Sequence, residues 1–307
     1  MLPFILRRLL TGIPVLIGAT ALSFFVIRVV PGDAVTTLLN GSPTTPAVEA
    51  AIRQQFHLDR SVPVQYGLYM RDLAHGDLGT SMRTGKPVWR EIRVRLPSTI
   101  RLTGAATLLT IALGVLLGML GSFFERGLIA RPLSLFQFAS VSVPPFWLGL
   151  ILITLFSFRY HWFPATGDHG WKTLVLPSIT LALPGAAVIG QLLRDGMREV
   201  MSEPYIVTAR AKGLKERRVR MRHALRNALI PVITVSGAIV GSLLTGSVII
   251  EILFARPGVG RLAVDSITNK DLPVVQGVVL LAAATYLVVN LIVDLVYAAI
   301  DPRTRAE

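Results

Sequence analysis

Chemistry, if this chain performs any, should show first in a glycine-rich run around a lysine. Gly79-Thr80-Ser81-Met82-Arg83-Thr84-Gly85-Lys86-Pro87 has the residue types of a phosphate loop, in which backbone N–H groups cradle phosphate and a hydroxyl after the lysine holds Mg²⁺. The spacing is wrong: five residues separate the glycines where four are needed, and Pro87 occupies the hydroxyl position. The run reads as a turn. Five histidines come next, His57, His75, His161, His169 and His223, and none forms His-Glu-x-x-His. His161, Asp168 and His169 share one short segment and could in principle hold a metal, but loop and interfacial histidines are far commoner than ligands. No Gly-x-Ser-x-Gly elbow occurs, and no carboxylate pair lies inside an apolar run. Cysteine is absent, which removes disulfides, thiolate metal sites and redox couples. Enzymatic chemistry has almost no foothold here.

The elements that carry these residues explain why. Only 16% of the 307 residues are charged, against about 25% for a soluble domain, and mean hydropathy is +0.60. The net charge of +13 could suggest nucleic acid, but the charges alternate with long uncharged stretches, which points to lipid. A helix needs roughly 20 apolar residues to cross about 30 Å of hydrocarbon. Six such runs occur: Leu9–Ile27, Leu102–Phe124, Pro132–Phe158, Thr173–Leu193, Asn227–Ile250 and Leu272–Val293, each bracketed by charges. Their composition lacks two-residue alternation, so helices are favoured over a barrel. The first run follows Arg7 and Arg8 but is longer than a signal core and lacks a clear cleavage site, so it reads as an anchor.

Orientation follows from the basic residues. With the N-terminus inside, sixteen fall in cytosolic segments and five in the two short outer loops, so both termini are expected in the cytosol. The basic segment 31–100 would lie outside, but it exceeds the loop length over which this rule operates. Within it, Thr45 and Pro46 open a short helix carrying Val48, Ile52 and Phe56 on one face, and a second runs from Pro63 to Ala74, ending near Gly76. Arg90, Arg93 and Arg95 follow, before Pro97 and Ser98 open the second span. Such a segment could be a small cap with a basic stretch on lipid headgroups, or a docking surface or gate for an external partner. The chain thus divides into residues 1–100, the first helix with its outer segment, and 101–307, a five-helix core.

Charged residues inside spans are the default functional candidates, and they are scarce. Asp294 is the clearest, and it reads as an interfacial carboxylate. An ion-coupled carrier usually needs more, so scarcity weighs against one. Gly114-x-x-x-Gly118 and Gly237-x-x-x-Gly241 present small faces that allow close helix contact, and could serve a subunit interface.

Residues 194–226 are the most informative. Pro204 to Gly213 reads as a short helix ended by glycine, and Leu214 to Asn227 as a second, basic amphipathic helix leading into the fifth span. Such a loop could simply lie on lipid. Thr208-Ala209-Arg210-Ala211-Lys212-Gly213-Leu214, followed by His223-Ala224-Leu225-Arg226-Asn227-Ala228-Leu229-Ile230-Pro231, resembles the EAA loop of binding-protein-dependent ABC permeases. More narrowly, it is similar to the dipeptide/oligopeptide/nickel branch. Further landmarks match along nearly the whole chain: Arg7-Arg8-Leu9-Leu10, Val29-Val30-Pro31-Gly32-Asp33, Gly76-Asp77-Leu78-Gly79, Pro144-Pro145-Phe146-Trp147-Leu148-Gly149, and Leu295 through Asp301-Pro302-Arg303.

The resemblance implies an all-α integral membrane protein with six spans and the type I importer permease fold. It implies a cell inner membrane location, a second homologous permease, one or two separate ATPase subunits that bind ATP and Mg²⁺, and an extracytoplasmic binding protein. Membrane lipid surrounds it, and no nucleic acid or cofactor of its own is expected. The coupling segment implied is Tyr205, Thr208, Ala209, Arg210, Ala211, Lys212, Gly213, Leu214, His223 and Asn227, within a loop of about 196–230. Thr208, Ala209 and Gly213 match the motif's small residues and glycine, while Val207 replaces its Glu and Arg226 its frequent Pro. The expected cargo is a peptide, with nickel or glutathione as alternatives. A lone ion-coupled carrier or channel is the alternative from another class.

Overall fold

The computed structural model describes residues 2–29, 35–36, 45–124, 128 and 130–300; the landmarks at 30–33 and 301–303 lie outside them. Among the described residues the regular structure is helical, apart from one isolated antiparallel bridge between Thr80 and Pro87. The helices are α1 (Leu2–Val29), α2 (Pro46–Gln55), α3 (Val62–Ala74), α4 (Val88–Phe123), α5 (Ala130–Ser142), α6 (Pro145–Leu152), α7 (Lys172–Val200), α8 (Pro204–Ala211), α9 (Leu225–Leu253), α10 (Val259–Thr268) and α11 (Leu272–Ile300). α6 continues into a π-helical stretch, Ile153–Arg159, and α9 is preceded by a helical turn, Glu216–Arg218, and a π-helical segment, Val219–Ala224.

Among the described residues five helical stretches are long and apolar enough to cross a membrane: they lie in α1, α4, α7, the rod from Glu216 through α9, and α11. The sixth expected span, Pro132–Phe158, is not one rod. α5 and α6 meet at a bend of 112°. Pro144 and Pro145 supply no backbone N–H, and proline pushes the residue before it away from helical backbone, so the ladder stops at Val143. Pro144 adopts φ −57°, ψ 135°, and Pro145 restarts the helix at its first position. The second span also differs. α4 begins at Val88 and runs through Pro97, because the basic stretch is already amphipathic helix: Val88 and Ile92 are fully buried while Arg90 and Arg93 are exposed.

Two compact units divide the chain, residues 1–97 with 257–288 and residues 98–256 with 289–307. In the first, Val88 and Ile92 of α4 pack with Val259 and Leu262 of α10 and with Val274 and Val278 of α11. A Cβ on Gly277 would sit 2.5 Å from Val88 Cγ1, so glycine is what lets α11 approach α4 there. Phe24 of α1 meets Tyr66 of α3 edge-on, ring centroids 5.1 Å apart, and Tyr69 at 6.1 Å.

In the second unit α7 is the centre. Its most apolar window is 56% buried within the chain, whereas that of α11 is only 6%. Lipid is as apolar as leucine, so helix association here depends on close packing rather than on escape from water. Gly114, Gly118 and Gly237 serve that purpose internally. A Cβ at Gly114 would lie 2.6 Å from Ile189 Cβ, and one at Gly118 2.7 Å from Leu193 Cβ, both on α7. Gly237 of α9 is pressed against Val293 of α11. These small faces are used inside the subunit. Gly149 of the Pro-Pro landmark does the same for α6, where a Cβ would come within 2.5 Å of Leu253 and 3.2 Å of Thr180.

Candidate functional site

The 204–227 loop is built from a helix start, a corner and a rod. Glu203 is extended (φ −69°, ψ 145°) and Pro204 takes the first helical position, where its missing N–H costs nothing. α8 then runs two turns and stops at a glycine. Gly213 has φ +75°; its N–H donates to the Arg210 carbonyl at 2.9 Å, and the Leu214 N–H to the Ala209 carbonyl at 3.4 Å. That pair of bonds is the Schellman arrangement, which needs left-handed backbone that glycine adopts without a Cβ penalty. Lys215 is extended, and the expected second helix begins at Glu216 and enters α9 as one rod, with the π-helical segment between.

The two faces of α8 differ. Ile206 and Ala209 are buried against Ile189, Leu193 and Met197 of α7 and against Val219, Ala224, Ala228 and Val232 of the following rod; Leu214 packs on the same cluster. The small side chain of Ala209 therefore fits into this chain's own core. Tyr205, Val207, Thr208, Ala211 and Lys212 are exposed, Val207 at 58%. Polar ties set the corner's angle. Arg210 Nη2 reaches Glu216 Oε1 at 3.0 Å, and Arg220 Nε reaches the same oxygen at 3.2 Å. The hydrogen bond to Glu216 holds the Arg210 guanidinium above its usual range. Arg220 also donates to the Ser122 carbonyl at 2.6 Å and lies over the Phe123 ring, anchoring the loop to the end of α4. Asn227 Nδ2 donates to the Tyr205 hydroxyl at 2.6 Å, so these two expected residues meet across the corner. His223 sits half-buried on the π-helical segment and stays apart from this set.

Elsewhere the sequence candidates resolve as structure. The 79–87 run is a closed turn, with Ser81 N–H to the Lys86 carbonyl at 2.9 Å and positive φ at Gly79 and Gly85. Its donors surround a carboxylate of its own chain: Ser81 Oγ donates to Asp271 Oδ2 at 2.5 Å and Met82 N–H to Oδ1 at 3.0 Å. Asp271, read as a flanking charge, is 4% exposed and fills the loop. Among the described residues no cluster of histidines and carboxylates could hold a metal. Asp168 instead pairs with Arg256, which is 1% exposed and also donates to the carbonyls of Gly167 and Thr173, at 3.3 and 3.2 Å. Burial pulls the Arg256 guanidinium down, and Asp168 opposes the shift. Glu251 is fully buried and accepts the Thr99 hydroxyl at 2.5 Å. In the sequence Glu251 reads as a flanking charge of a span and Arg256 as one of the five basic residues of the short outer loops. The nearest signal was Arg256-Pro257 directly after an apolar run, which marks a turn but not burial.

Residues 110–306 match the binding-protein-dependent transport system inner membrane component family, and residues 1–103 match the N-terminal segment of the same kind of membrane component. The chain belongs to this family. It is 40% identical to the di/tripeptide transport system permease protein DppB of Pseudomonas aeruginosa, over 99% of both chains. It is 38% identical to the dipeptide permease DppB of Alkalihalophilus pseudofirmus, over 99% of this chain and 100% of that one. It is equally similar, 38% over 99% of each, to the glutathione permease GsiC of Pectobacterium atrosepticum. Among solved structures, an inward-facing form of the MetNI methionine ABC transporter aligns with TM-score 0.58 at 16% identity, over 67% of this chain and 94% of that one. An amino acid ABC transporter crystallised with histidines aligns with TM-score 0.52 at 18% identity, over 70% and 94%. The fold is thus that of an ABC importer permease, and the chain is an integral inner membrane permease subunit. Such a subunit works with an ATPase and a substrate-binding protein.

Proposed function

We propose that this permease subunit carries dipeptides or short peptides inward, pairs with a second homologous permease, and receives the ATP-driven stroke through the exposed face of α8. Both termini lie in the cytosol in this reading, the 45–87 segment faces outward, and ATP and Mg²⁺ belong wholly to the partner subunits. The observation that carries it is the asymmetry of α8: one face is locked into the core through Ile206 and Ala209, and the other presents Tyr205, Val207, Thr208, Ala211 and Lys212 to solvent. A push on that outer face passes through the buried one into α7 and the α9 rod, which is what a coupling element between two conformational states requires. The full-length peptide permeases among its relatives support a peptide cargo, and the glutathione permease supports a small peptide conjugate as the second choice.

Orientation is tested with single cysteines, because the chain has none of its own. A membrane-impermeant thiol reagent on intact cells or spheroplasts should label Gly76→Cys and spare Lys215→Cys; labelling at 215 before lysis overturns the topology. Coupling is tested with Thr208→Glu and Lys212→Glu on the exposed face. Both should insert and accumulate, lose peptide uptake and recover less ATPase on purification. Normal uptake in both would leave the loop as a lipid-facing segment. The purified subunit alone should hydrolyse no ATP.

A further inference from the structure

The first unit holds a cavity of about 390 Å³ lined by α1, α2, α3, the 77–82 stretch and the start of α11. Its volume is that of a site for a small organic ligand. One wall is apolar, with Phe24, Phe56 and Leu68, and charges of both signs line the rest. Arg28 is the cation. Its guanidinium lies 3.5 Å over the Phe24 ring, Nη1 donates to the Phe24 carbonyl at 2.8 Å and Nη2 to Gln65 Oε1 at 2.6 Å. Among the described residues no carboxylate pairs with it. A guanidinium has five donors in a planar fork, so the half-buried Arg28 retains capacity for a carboxylate and gains most from one here, where water is partly excluded.

The other polar groups carry the complementary sign. Asp77 Oδ1 accepts the Gly79 N–H at 2.8 Å and has no cation within ion-pair distance among the described residues. Among the described residues Asp72 pairs only with its exposed neighbour Arg71, at 2.9 Å. The Tyr69 hydroxyl, on the same lining, is buried without a hydrogen-bond partner among the described residues, and burial pushes it up to about 12, so it stays a neutral donor. A buried orphan hydroxyl costs free energy until a ligand or water satisfies it.

We propose that this cavity binds a short zwitterionic peptide, its carboxylate on Arg28, its ammonium group toward Asp72 and Asp77, and an apolar side chain against Phe56 and Leu68. An anionic lipid would satisfy Arg28 alone and leave two carboxylates facing its phosphate, which disfavours it. The inference rests on the peptide-permease reading and adds a site to it. The ligand reaches this site on the outer side, before the membrane-crossing path.

The test uses the permease–ATPase complex, without its binding protein, in phosphatidylcholine nanodiscs, with tritiated glycyl-leucine as the probe. Saturable binding is expected, weakened at least tenfold for the C-terminal amide and severalfold for the N-acetyl peptide. Arg28→Gln should lose at least tenfold and Arg28→Lys less. If Arg28→Gln does not accumulate, Leu68→Trp, which fills the cavity, should abolish binding, and the peptide analogues need no mutation at all. Equal binding of the amide, or binding unchanged in Arg28→Gln, overturns the site. So does Arg28-dependent capture of phosphatidylglycerol with no peptide bound. Failure of the wider reading looks different: ATP-driven peptide uptake that persists in Arg28→Gln removes this site and keeps the permease, whereas no peptide uptake by the complete wild-type transporter removes the cargo assignment itself.

Discussion

Two glycine-bearing loops make opposite use of similar material. The 79–87 loop turns its hydroxyl and N–H donors inward onto Asp271, 190 residues beyond Ser81 in sequence, and so closes on its own chain. The 204–213 loop spends only half its surface that way: Ile206 and Ala209 are buried, and the opposite face is open. A loop whose buried donors converge on its own chain holds a structure in place. A loop with one locked face and one open face can pass force from something outside the chain to the helices beneath it. Substitutions in the two should therefore separate stability from transport.

The largest effect is expected at Asp271→Ala. Removing a buried acceptor strands the Ser81 hydroxyl and the Met82 N–H, each costing about 1–3 kcal/mol. The variant should lose several degrees of thermal stability in detergent, and uptake should fall in proportion to folded protein. Full stability would show that the loop does not depend on this carboxylate. Asp168→Ala should be nearly as damaging. It leaves the buried Arg256 charge without its carboxylate, and breaking a buried pair costs about 3–5 kcal/mol. Asp168→Ala combined with Arg256→Met should be milder than Asp168→Ala alone, read by thermal unfolding, because the uncompensated charge goes with its partner.

Gly213→Val should invert the pattern. No atom lies within 4 Å of where a Cβ would sit, so nothing collides, but φ +75° is strongly disfavoured for a β-branched residue. The cost is about 1–2 kcal/mol, confined to the corner. Accumulation should be near normal while uptake is lost, and Gly213→Asn, which tolerates left-handed backbone, should restore much of it. Equal loss in both variants would locate the defect in the side chain and not in the corner.

The spans and the glycine corner were legible because each is local: a run of apolar residues and a helix stopped by glycine announce themselves in one window. What was not legible depends on distant partners. Asp271 stands at the start of an apolar run and reads as a border charge, and only its approach to Ser81 reveals a buried acceptor. Glu251 is similar, since Thr99 is 152 residues earlier. The bend at Pro144-Pro145 vanished into a hydropathy average that runs across it, although the prolines themselves were in plain sight. Ala209 was matched to a small-residue position, which fixes its size but not its direction; the helical phase set by Ile206, three residues earlier, turns it inward.

The smallest effect should come from the bond across the corner. Tyr205 is 41% exposed, and its hydroxyl accepts from Asn227, so Tyr205→Phe removes one acceptor where water can still reach the amide. Its loss should cost well under 1 kcal/mol of stability, because water replaces the lost partner. If the bond serves to fix the angle between α8 and the α9 rod, uptake should still fall two- to threefold, and Asn227→Ala should give the same deficit. The double variant should then be no worse than either single one, since both remove one interaction. Additive losses in uptake would mean that Tyr205 acts through its exposed ring on a partner surface and not through Asn227. That outcome would make Tyr205 a working part of the open face of α8, through its ring, and widen the contrast with the 79–87 loop.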